Sequence, residues 1–268
     1  MVRARKRLGQ HFLHHRRILE RIAEALAAPA GARVLEIGPG QGGLTRVLAE
    51  RGARVTAIEK DPGLAAMVEE TLPGVLVVRG DALELEWRSV AGAAPGEPLF
   101  VAGNIPYNIT SPLLARALQP PRPERIVFLV QEEVADRLAA PAGVSAYGAL
   151  SVGVQAVAQV EKLFRVPAGA FHPRPRVDSA VVRITPRAQP LVADSRADSF
   201  RRMVVGIFGY RRKQLGRGLR ELTGFGPEPV SRLLASAGLP GSGRPETVPP
   251  EGFAVLHQVL IDAGWEAR

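Results

Sequence analysis

From position 33 onward, short apolar runs alternate with segments whose apolar residues recur at helical spacing. The apolar runs predict strands over residues 33–37, 54–58, 75–79, 99–102 and 125–130. The amphipathic segments predict helices over residues 18–28, 43–51, 62–71, 110–118 and 132–139. Strands and helices that alternate in this way are typical of βα units, which build a parallel sheet covered by helices on both faces.

The pattern changes in the second half of the chain. Residues 157–165 and 180–185 resemble two strands with no clear helix between them, which predicts an antiparallel hairpin at the sheet edge. Helical patterns then cover residues 199–208, 211–222, 229–237 and 250–263, separated by Gly and Pro turns. We therefore predict an α/β fold, with a Rossmann-like domain over residues 1–187 that includes a basic N-terminal arm. A small all-helical domain follows over residues 188–268.

Composition narrows the function classes. The chain has no cysteine, which excludes a disulfide framework, a thiol nucleophile and a thiolate metal site. Its histidines lack metal-ligand spacing, and it shows neither an apolar run of membrane-spanning length nor a signal-peptide pattern. We expect a soluble, cytoplasmic, metal-free protein. Lys and Arg total 35 against 26 Asp and Glu, and the formal net charge of +9 favours a polyanionic partner such as nucleic acid.

The first predicted strand runs directly into a glycine-rich turn that opens a helix. Gly38, Gly40 and Gly43 satisfy the G-x-G-x-x-G pattern of nucleotide-binding turns. Glu59 ends the next strand, where a carboxylate can accept hydrogen bonds from both ribose hydroxyls of an adenosine. This combination predicts a cofactor that contains adenosine, and it leaves both NAD and S-adenosylmethionine open.

Two further acids favour S-adenosylmethionine. Glu36 precedes Gly38 by two residues, where a carboxylate would attract a cationic amino-acid group and repel a pyrophosphate. Asp81 ends the third strand and can accept a hydrogen bond from an adenine amino group. The alternative is that Glu59 and Asp81 are ordinary loop carboxylates or helix caps.

The only two asparagines of the chain, Asn104 and Asn108, lie in one loop after the fourth strand. The Asn104 side-chain oxygen and the Ile105 carbonyl can each accept one hydrogen of an adenine N6 amine, which would direct the nitrogen lone pair at a methyl donor. Pro106 stiffens the loop, and Tyr107 offers a stacking face for an unpaired base. The alternative is an Asn-Pro turn with a core tyrosine.

Seven segments in order carry a family resemblance: residues 8–13, 36–45, 58–61, 80–83, 104–107, 171–179 and 208–213. Along its whole length the chain resembles the small-subunit (16S) rRNA adenine N6,N6-dimethyltransferases of the KsgA type. The resemblance implies an S-adenosylmethionine-dependent methyltransferase that takes part in ribosome biogenesis. Its substrate would be two adjacent adenines in a hairpin loop near the 3′ end of 16S rRNA, in the small (30S) subunit or its precursor. Each adenine would gain two methyl groups.

The resemblance also implies roles for individual residues. Phe171 would stack on the target adenine opposite Tyr107. His11 stands where the family usually has asparagine. Together with the glycine-turn pattern, the resemblance implies cofactor contacts from Gln10, His11, Leu13, Glu36, Gly38, Gly40, Glu59, Lys60, Asp81, Ala82 and Asn104.

Basic residues outside the predicted pocket are expected to hold the rRNA backbone without reading bases. On one continuous helix over residues 211–222, Lys213, Arg217 and Arg220 would form a single basic stripe, unless that stripe is only a solvated face. We expect the protein to be a monomer. The full set of predicted RNA contacts is Arg5, Lys6, Arg7, Arg174, Arg176, Arg211, Arg212, Lys213, Arg217 and Arg220.

Four other functions compete with this one. The large-subunit rRNA methylases that confer macrolide resistance share the chemistry, but the segment 171–179 argues against them. DNA adenine methylases usually have Pro where Ile105 stands. A non-catalytic RNA-binding assembly factor would not need the intact Asn104 and Glu59. An NAD dehydrogenase would bind nicotinamide cofactors and transfer no methyl group.

Overall fold

The computed structural model describes residues 10–265, so the predicted RNA contacts Arg5, Lys6 and Arg7 lie outside the described residues. The chain divides into two compact units. The first comprises Met1–Ala135 and Glu161–Pro186, and the second comprises Asp136–Val160 and Arg187–Arg268. Within the described part of the chain, no helix is long and apolar enough to cross a membrane.

The strands are β1 (Phe12–Leu13), β2 (Arg33–Ile37), β3 (Arg54–Glu59), β4 (Leu76–Arg79), β5 (Leu99–Asn104), β6 (Arg125–Gln131), β7 (Ala158–Val166), β8 (Phe171–His172) and β9 (Ser179–Pro186). The helices are α1 (Arg16–Leu26), α2 (Gly43–Glu50), α3 (Pro62–Thr71), α4 (Trp87–Val90), α5 (Thr110–Ala117), α6 (Glu132–Ala139), α7 (Ala149–Gln155), α8 (Ala197–Gly209), α9 (Leu215–Thr223), α10 (Pro227–Ser236) and α11 (Pro250–Asp262).

In the described residues, seven strands form one sheet in the order β4-β3-β2-β5-β6-β9-β7. The pairs β3–β4, β2–β3, β2–β5 and β5–β6 are parallel, and β9 is antiparallel to β6. The central strands are buried on both faces, which explains their nearly unbroken apolar runs. The predicted α/β, Rossmann-like fold is confirmed, and β9 and β7 lie side by side at one edge, as expected.

Four short elements were not predicted: β1, β8, α4 and α7. Strands β1 and β8 pair with each other as a separate two-stranded sheet, in which Leu13 lies opposite Phe171. Each of these strands has only two residues, too few for a periodic pattern to show. Helix α7 was also missed, because its sequence contains β-branched and Gly residues that have low helix propensity.

In the second unit, residues that precede the predicted boundary at 187 belong with the C-terminal helices. Tyr147 is fully buried there, its hydroxyl donates to the Val248 carbonyl oxygen over 2.8 Å, and its ring meets Phe208 edge-on. The hydrogen bond joins parts of the chain 101 residues apart. Because no local pattern records such packing, the sequence placed this segment in the first domain.

Helix α9 begins at Leu215, not at residue 211 as predicted. The Lys213 amide donates to the Tyr210 carbonyl in a turn, and Gln214 is extended. The first amides of the helix, those of Leu215 and Gly216, donate to carbonyl oxygens of the segment at 241–243. Lys213 therefore does not share a helical stripe with the arginines of α9, and the predicted three-residue stripe is wrong.

Candidate active site

The first unit contains a cavity of about 370 Å³ where β2, β3 and β5 end. This volume is in the range of small-molecule sites, and its position agrees with the rule that ligands bind beyond the carboxyl ends of parallel strands. The cavity is lined by every residue that the sequence assigned to the cofactor and by Ile105, Pro106 and Tyr107 of the asparagine loop. The structure thus brings the two predicted groups together in one place.

The glycine turn forms the wall of the cavity after β2. Gly38 and Gly40 have φ values of 67° and 56°, in the left-handed region that favours glycine. The Gly38 amide donates to the Ile58 carbonyl oxygen over 2.9 Å, and a Cβ on Gly40 would lie 2.9 Å from the Phe12 ring. The turn therefore needs glycine for backbone conformation at both positions and for space at Gly40.

Glu59 ends β3 with a buried side chain that is 6% exposed. Its Oε1 accepts from the Asp61 amide over 2.8 Å and its Oε2 from the Gly40 amide over 3.2 Å. Burial raises the pKa of Glu59, although these amides act in the opposite direction. Each oxygen of a carboxylate can accept more than one hydrogen bond, so both retain capacity for a ligand hydroxyl.

Glu36 is the most buried acid of the cavity. Only 1% of the residue is exposed, and burial raises its pKa to about 8. Its Oε2 has no hydrogen-bond partner among the described residues. Because a buried carboxyl oxygen without a partner is costly, this oxygen fits a ligand that carries a positive charge or a hydrogen-bond donor.

Asp81 follows β4 and is held differently. The Lys60 Nζ lies 2.6 Å from its Oδ2, and the Leu83 amide donates to its Oδ1 over 2.9 Å. The Lys60 ammonium, helped by the Leu83 amide, lowers the pKa of Asp81. The carboxylate therefore stays ionised, and an incoming donor would share it with Lys60.

The asparagine loop is held by hydrogen bonds where it leaves β5. The Asn104 Nδ2 donates to the His11 carbonyl oxygen over 2.7 Å, which fixes the orientation of the amide. The Asn104 Oδ1 can then accept a hydrogen bond from a ligand. The Ile105 amide donates to the Leu129 carbonyl oxygen over 3.0 Å. A Cβ on Gly103 would lie 2.6 Å from the Ile37 carbonyl oxygen, so this glycine, missed in the sequence, permits the loop to approach β2.

Tyr107 is held at its hydroxyl and at its ring. Its hydroxyl lies 2.8 Å from Ser179 Oγ, and its ring stacks on the His11 ring with centroids 5.7 Å apart. Burial raises the pKa of the Tyr107 phenol, which keeps it neutral. Sequence reasoning had not given Ser179 a role, although it ends the motif at 171–179.

Phe171 does not reach the cavity. It is 3% exposed and belongs to the hydrophobic core, and it is absent from the cavity lining in the described residues. Successive strand side chains point to opposite faces, so in β8 His172 faces solvent while Phe171 faces the core. In the structure the ring against Tyr107 is that of His11, and the stacking of Phe171 on the target adenine stays a prediction.

The predicted RNA contacts fall into two groups. Arg211 donates to the Ser145 carbonyl oxygen and lies 3.9 Å from Glu246, and Lys213 lies 3.2 Å from Glu221. These two cations are partly neutralised by their own neighbours. The others in the described residues are exposed: Arg174, Arg176, Arg212, Arg217 and Arg220. In the same residues, no three His, Asp or Glu side chains are grouped so that they could hold a metal ion.

A mostly parallel sheet that ends in an acidic, glycine-walled cavity beside an Asn-Ile-Pro-Tyr loop defines an S-adenosylmethionine-dependent methyltransferase of Rossmann-like fold. A family model described as ribosomal RNA adenine dimethylase matches residues 1–230, and the chain belongs to this family.

Curated relatives extend the match over the whole chain. "Ribosomal RNA small subunit methyltransferase A" of Geobacter sulfurreducens is 41% identical and covers 98% of this chain and 97% of the relative. The protein of the same name from Myxococcus xanthus is 42% identical, with 97% and 92% covered.

Two solved structures are also similar. The 23S rRNA methyltransferase ErmE is 32% identical, with a TM-score of 0.72 over 93% of this chain and 99% of its own. A dimethyladenosine transferase from Plasmodium falciparum superposes with a TM-score of 0.83 at 24% identity, covering 96% of this chain and 100% of its own. Because the identity is only 24%, the similarity to the Plasmodium falciparum protein is evidence for the fold alone.

Proposed function

We propose that this protein uses S-adenosylmethionine to dimethylate the N6 amines of two adjacent adenines in a hairpin loop near the 3′ end of 16S rRNA. Its substrate is the small (30S) subunit or its precursor, and the modification contributes to ribosome biogenesis. The observation that carries the proposal is the Asn104 amide, which the His11 carbonyl orients beside the cavity that contains Glu36 and Glu59.

The residues of the cavity fit the cofactor group by group. Glu36, with its unpaired oxygen, would hold the ammonium of the amino-acid group. Glu59 would accept the ribose hydroxyls, and Asp81 would accept the adenine amino group while it stays bound to Lys60. When bound, S-adenosylmethionine would supply the methyl group: its bond to the positively charged sulfur would break as the bond to the substrate nitrogen forms, and the neutral thioether S-adenosylhomocysteine would leave.

Asn104 and Ile105 act on the substrate amine. The nitrogen of adenine N6 is a weak nucleophile, because its lone pair is delocalised into the ring. In the first transfer the Asn104 Oδ1 and the Ile105 carbonyl would each accept one N–H, which favours a pyramidal nitrogen whose lone pair is available. In the second transfer the monomethylated amine has one N–H, which one of the two acceptors would receive. The amine loses its proton to solvent after transfer, so no strong base is required, and the neutral Tyr107 phenol serves as a stacking surface for the base.

Exposed arginines would hold the rRNA backbone. Arg174 and Arg176 lie in the loop between β8 and β9, and Arg212, Arg217 and Arg220 lie in or before α9. Such contacts add affinity by releasing counterions from phosphates and carry no sequence information. In this proposal Arg5, Lys6 and Arg7 also contact the rRNA backbone. The protein acts as a cytoplasmic monomer.

The test uses small ribosomal subunits from a strain that lacks the modification. They are incubated with the protein and methyl-labelled S-adenosylmethionine, and the RNA is then digested to nucleosides. We expect labelled N6,N6-dimethyladenosine from the 3′-end hairpin. Parallel incubations with large subunits and with subunits that already carry the modification serve as controls.

Each other outcome contradicts part of the proposal. Label in large-subunit RNA would support the proposed methyl transfer but contradict the proposed target. The target would then resemble that of the 23S rRNA methyltransferase to which this chain is similar in structure. Binding to the small subunit without label would favour a non-catalytic assembly factor.

A further inference from the structure

His11 connects three segments that are far apart in the sequence. Its backbone oxygen accepts from Asn104 Nδ2 over 2.7 Å, its Nδ1 lies 2.8 Å from the Pro173 carbonyl oxygen, and its ring stacks on Tyr107. Because a carbonyl oxygen only accepts, Nδ1 carries a hydrogen in this contact. One residue thus joins the segment before β1, the asparagine loop and the loop after β8.

The stack leaves no space between the two rings. Their centroids are 5.7 Å apart and their planes differ by 26°, an offset stack of the usual kind. An interposed base would need two carbon contacts of ~3.5 Å each, or about 7 Å in total. A target base can therefore meet Tyr107 only on the face away from His11, or by displacing His11.

Two contacts limit the motion of the Tyr107 ring. Its hydroxyl end is bonded to Ser179 Oγ, and one face is covered by the His11 imidazole. A ring restrained at both places loses less conformational entropy when a base stacks on it. His11 also links the position of the Tyr107 ring to that of Asn104, because its side chain stacks on the ring and its backbone oxygen orients the Asn104 amide.

We infer that His11 is a positioning residue for the methyl acceptor, an inference that rests on the function proposed above. The imidazole covers one face of the Tyr107 ring, and the adenine would stack on the opposite face. In that position the base would present its N6 amine to Asn104. This role differs from the cofactor contact that the family resemblance implies for the same position.

The test compares four variants. His11→Ala removes the ring, and His11→Phe keeps an aromatic ring without the Pro173 bond. His11→Asn keeps a hydrogen-bond donor for the Pro173 carbonyl without an aromatic ring. His15→Ala is the matched control, an exposed histidine four positions on whose side chain makes no cap bond to α1. Thermal unfolding establishes that each variant is folded. Calorimetry gives the Kd for S-adenosylmethionine, and labelled methyl transfer to unmodified small subunits gives kcat and KM.

We expect His11→Ala to lower kcat about tenfold and His11→Phe to remain within about threefold of the unchanged protein, the range that an aromatic pair supports. His11→Asn should resemble His11→Ala. The Kd for S-adenosylmethionine should stay within about twofold in all four variants. His15→Ala should match the unchanged protein in every measurement.

Three results would overturn the inference. If kcat falls and the Kd for S-adenosylmethionine rises in His11→Ala, His11 is a cofactor ligand. If KM falls while kcat is kept or raised, His11 occupies the place of the base. If His11→Phe is as impaired as His11→Ala, stacking is not the cause. Absence of methyl transfer by the unchanged protein would instead contradict the proposed function, and the calorimetric data would still report the cofactor.

Discussion

The acids of the first unit and the cations of the second are charged groups in opposite circumstances. Glu36 and Glu59 are buried in a cavity, where burial raises the pKa of each, whereas Arg212, Arg217 and Arg220 are exposed. In a desolvated site each charge acts strongly on one well-placed ligand. On the surface each charge is screened by salt and suits any polyanion of the right shape.

The difference teaches where specificity resides in this protein. Loss of a buried group in the cavity should change one step sharply, because its partner is then left unpaired at a position with little solvent exposure. Loss of a surface arginine should change affinity slightly and should alter the response to salt. The following changes test that contrast from its strongest case to its weakest.

Asn104→Ala should lower kcat at least ~100-fold, because it removes an acceptor placed for the reacting amine. The Kd for S-adenosylmethionine, measured by calorimetry, should stay within about tenfold. The matched control is Asn108→Ala, in which the other asparagine of the chain, exposed in the same loop, is removed. Unchanged turnover in Asn104→Ala would remove the amine-polarising role.

Glu59→Ala should raise the Kd for S-adenosylmethionine by about 10- to 100-fold, since hydrogen bonds to a charged acceptor are worth more than neutral ones. Loss of the Gly40 and Asp61 contacts would add to this effect through the turn. Glu59→Gln keeps one acceptor oxygen and should lose less. Equal affinity in both variants and the unchanged protein would return Glu59 to a purely structural role.

The affinity for S-adenosylmethionine should depend on pH through Glu36. In the free protein its pKa of about 8 keeps the carboxyl protonated near pH 6. A cation bound beside it favours the ionised form, so binding releases a proton and affinity rises with pH up to about 8, by at most about tenfold per pH unit. Calorimetry in buffers of different ionisation enthalpy measures the proton release.

The same shift has the opposite sign for the free protein. The folded state holds a proton that the unfolded chain loses above its ordinary pKa of 4.5. The free energy of unfolding should therefore fall as pH rises from 4.5 to about 8. Glu36→Gln should flatten the pH dependence of both the Kd for S-adenosylmethionine and the free energy of unfolding. For binding, only the titration of the ligand itself should remain. If either pH dependence is unaltered in this variant, the proton belongs to another group.

The smallest effect is expected at the surface. Replacing both Arg217 and Arg220 by Ala should weaken rRNA binding several-fold and reduce the slope of log K against log salt by roughly 1.5, as two lost phosphate contacts imply. Lys213→Ala should change the slope less than a single arginine does, because Glu221 lies 3.2 Å from its ammonium. An identical slope in the double variant would make α9 a solvated face.

The sheet and its cavity were largely predictable, for a reason visible in particular residues. Strand β2 is apolar apart from Arg33 and Glu36, and the change from its pattern to Gly38 marks the point where it ends. Because parallel strands all end at one edge, locating Glu36, Glu59 and Asn104 at strand ends was enough to group them.

The features that the sequence did not locate also have a physical cause. The start of α9 depends on carbonyl oxygens of the 241–243 segment, and the position of Phe171 depends on its pairing with Leu13. The place of the 136–160 segment depends on the burial of Tyr147. Each is decided by a residue that is distant in the chain, which a local pattern does not encode.

The sequence by itself determined the class of fold, the order along the chain of the strands that carry the acids, and the residue types of the site. These follow from hydrophobic period, turn chemistry and motif spacing. Only the tertiary structure decided that His11, not Phe171, lies against Tyr107, and that the backbone of His11 orients the Asn104 amide. It also set the different ionisation of Glu36 and Asp81. These features depend on burial and on contacts between distant residues, which exist only once the chain has folded.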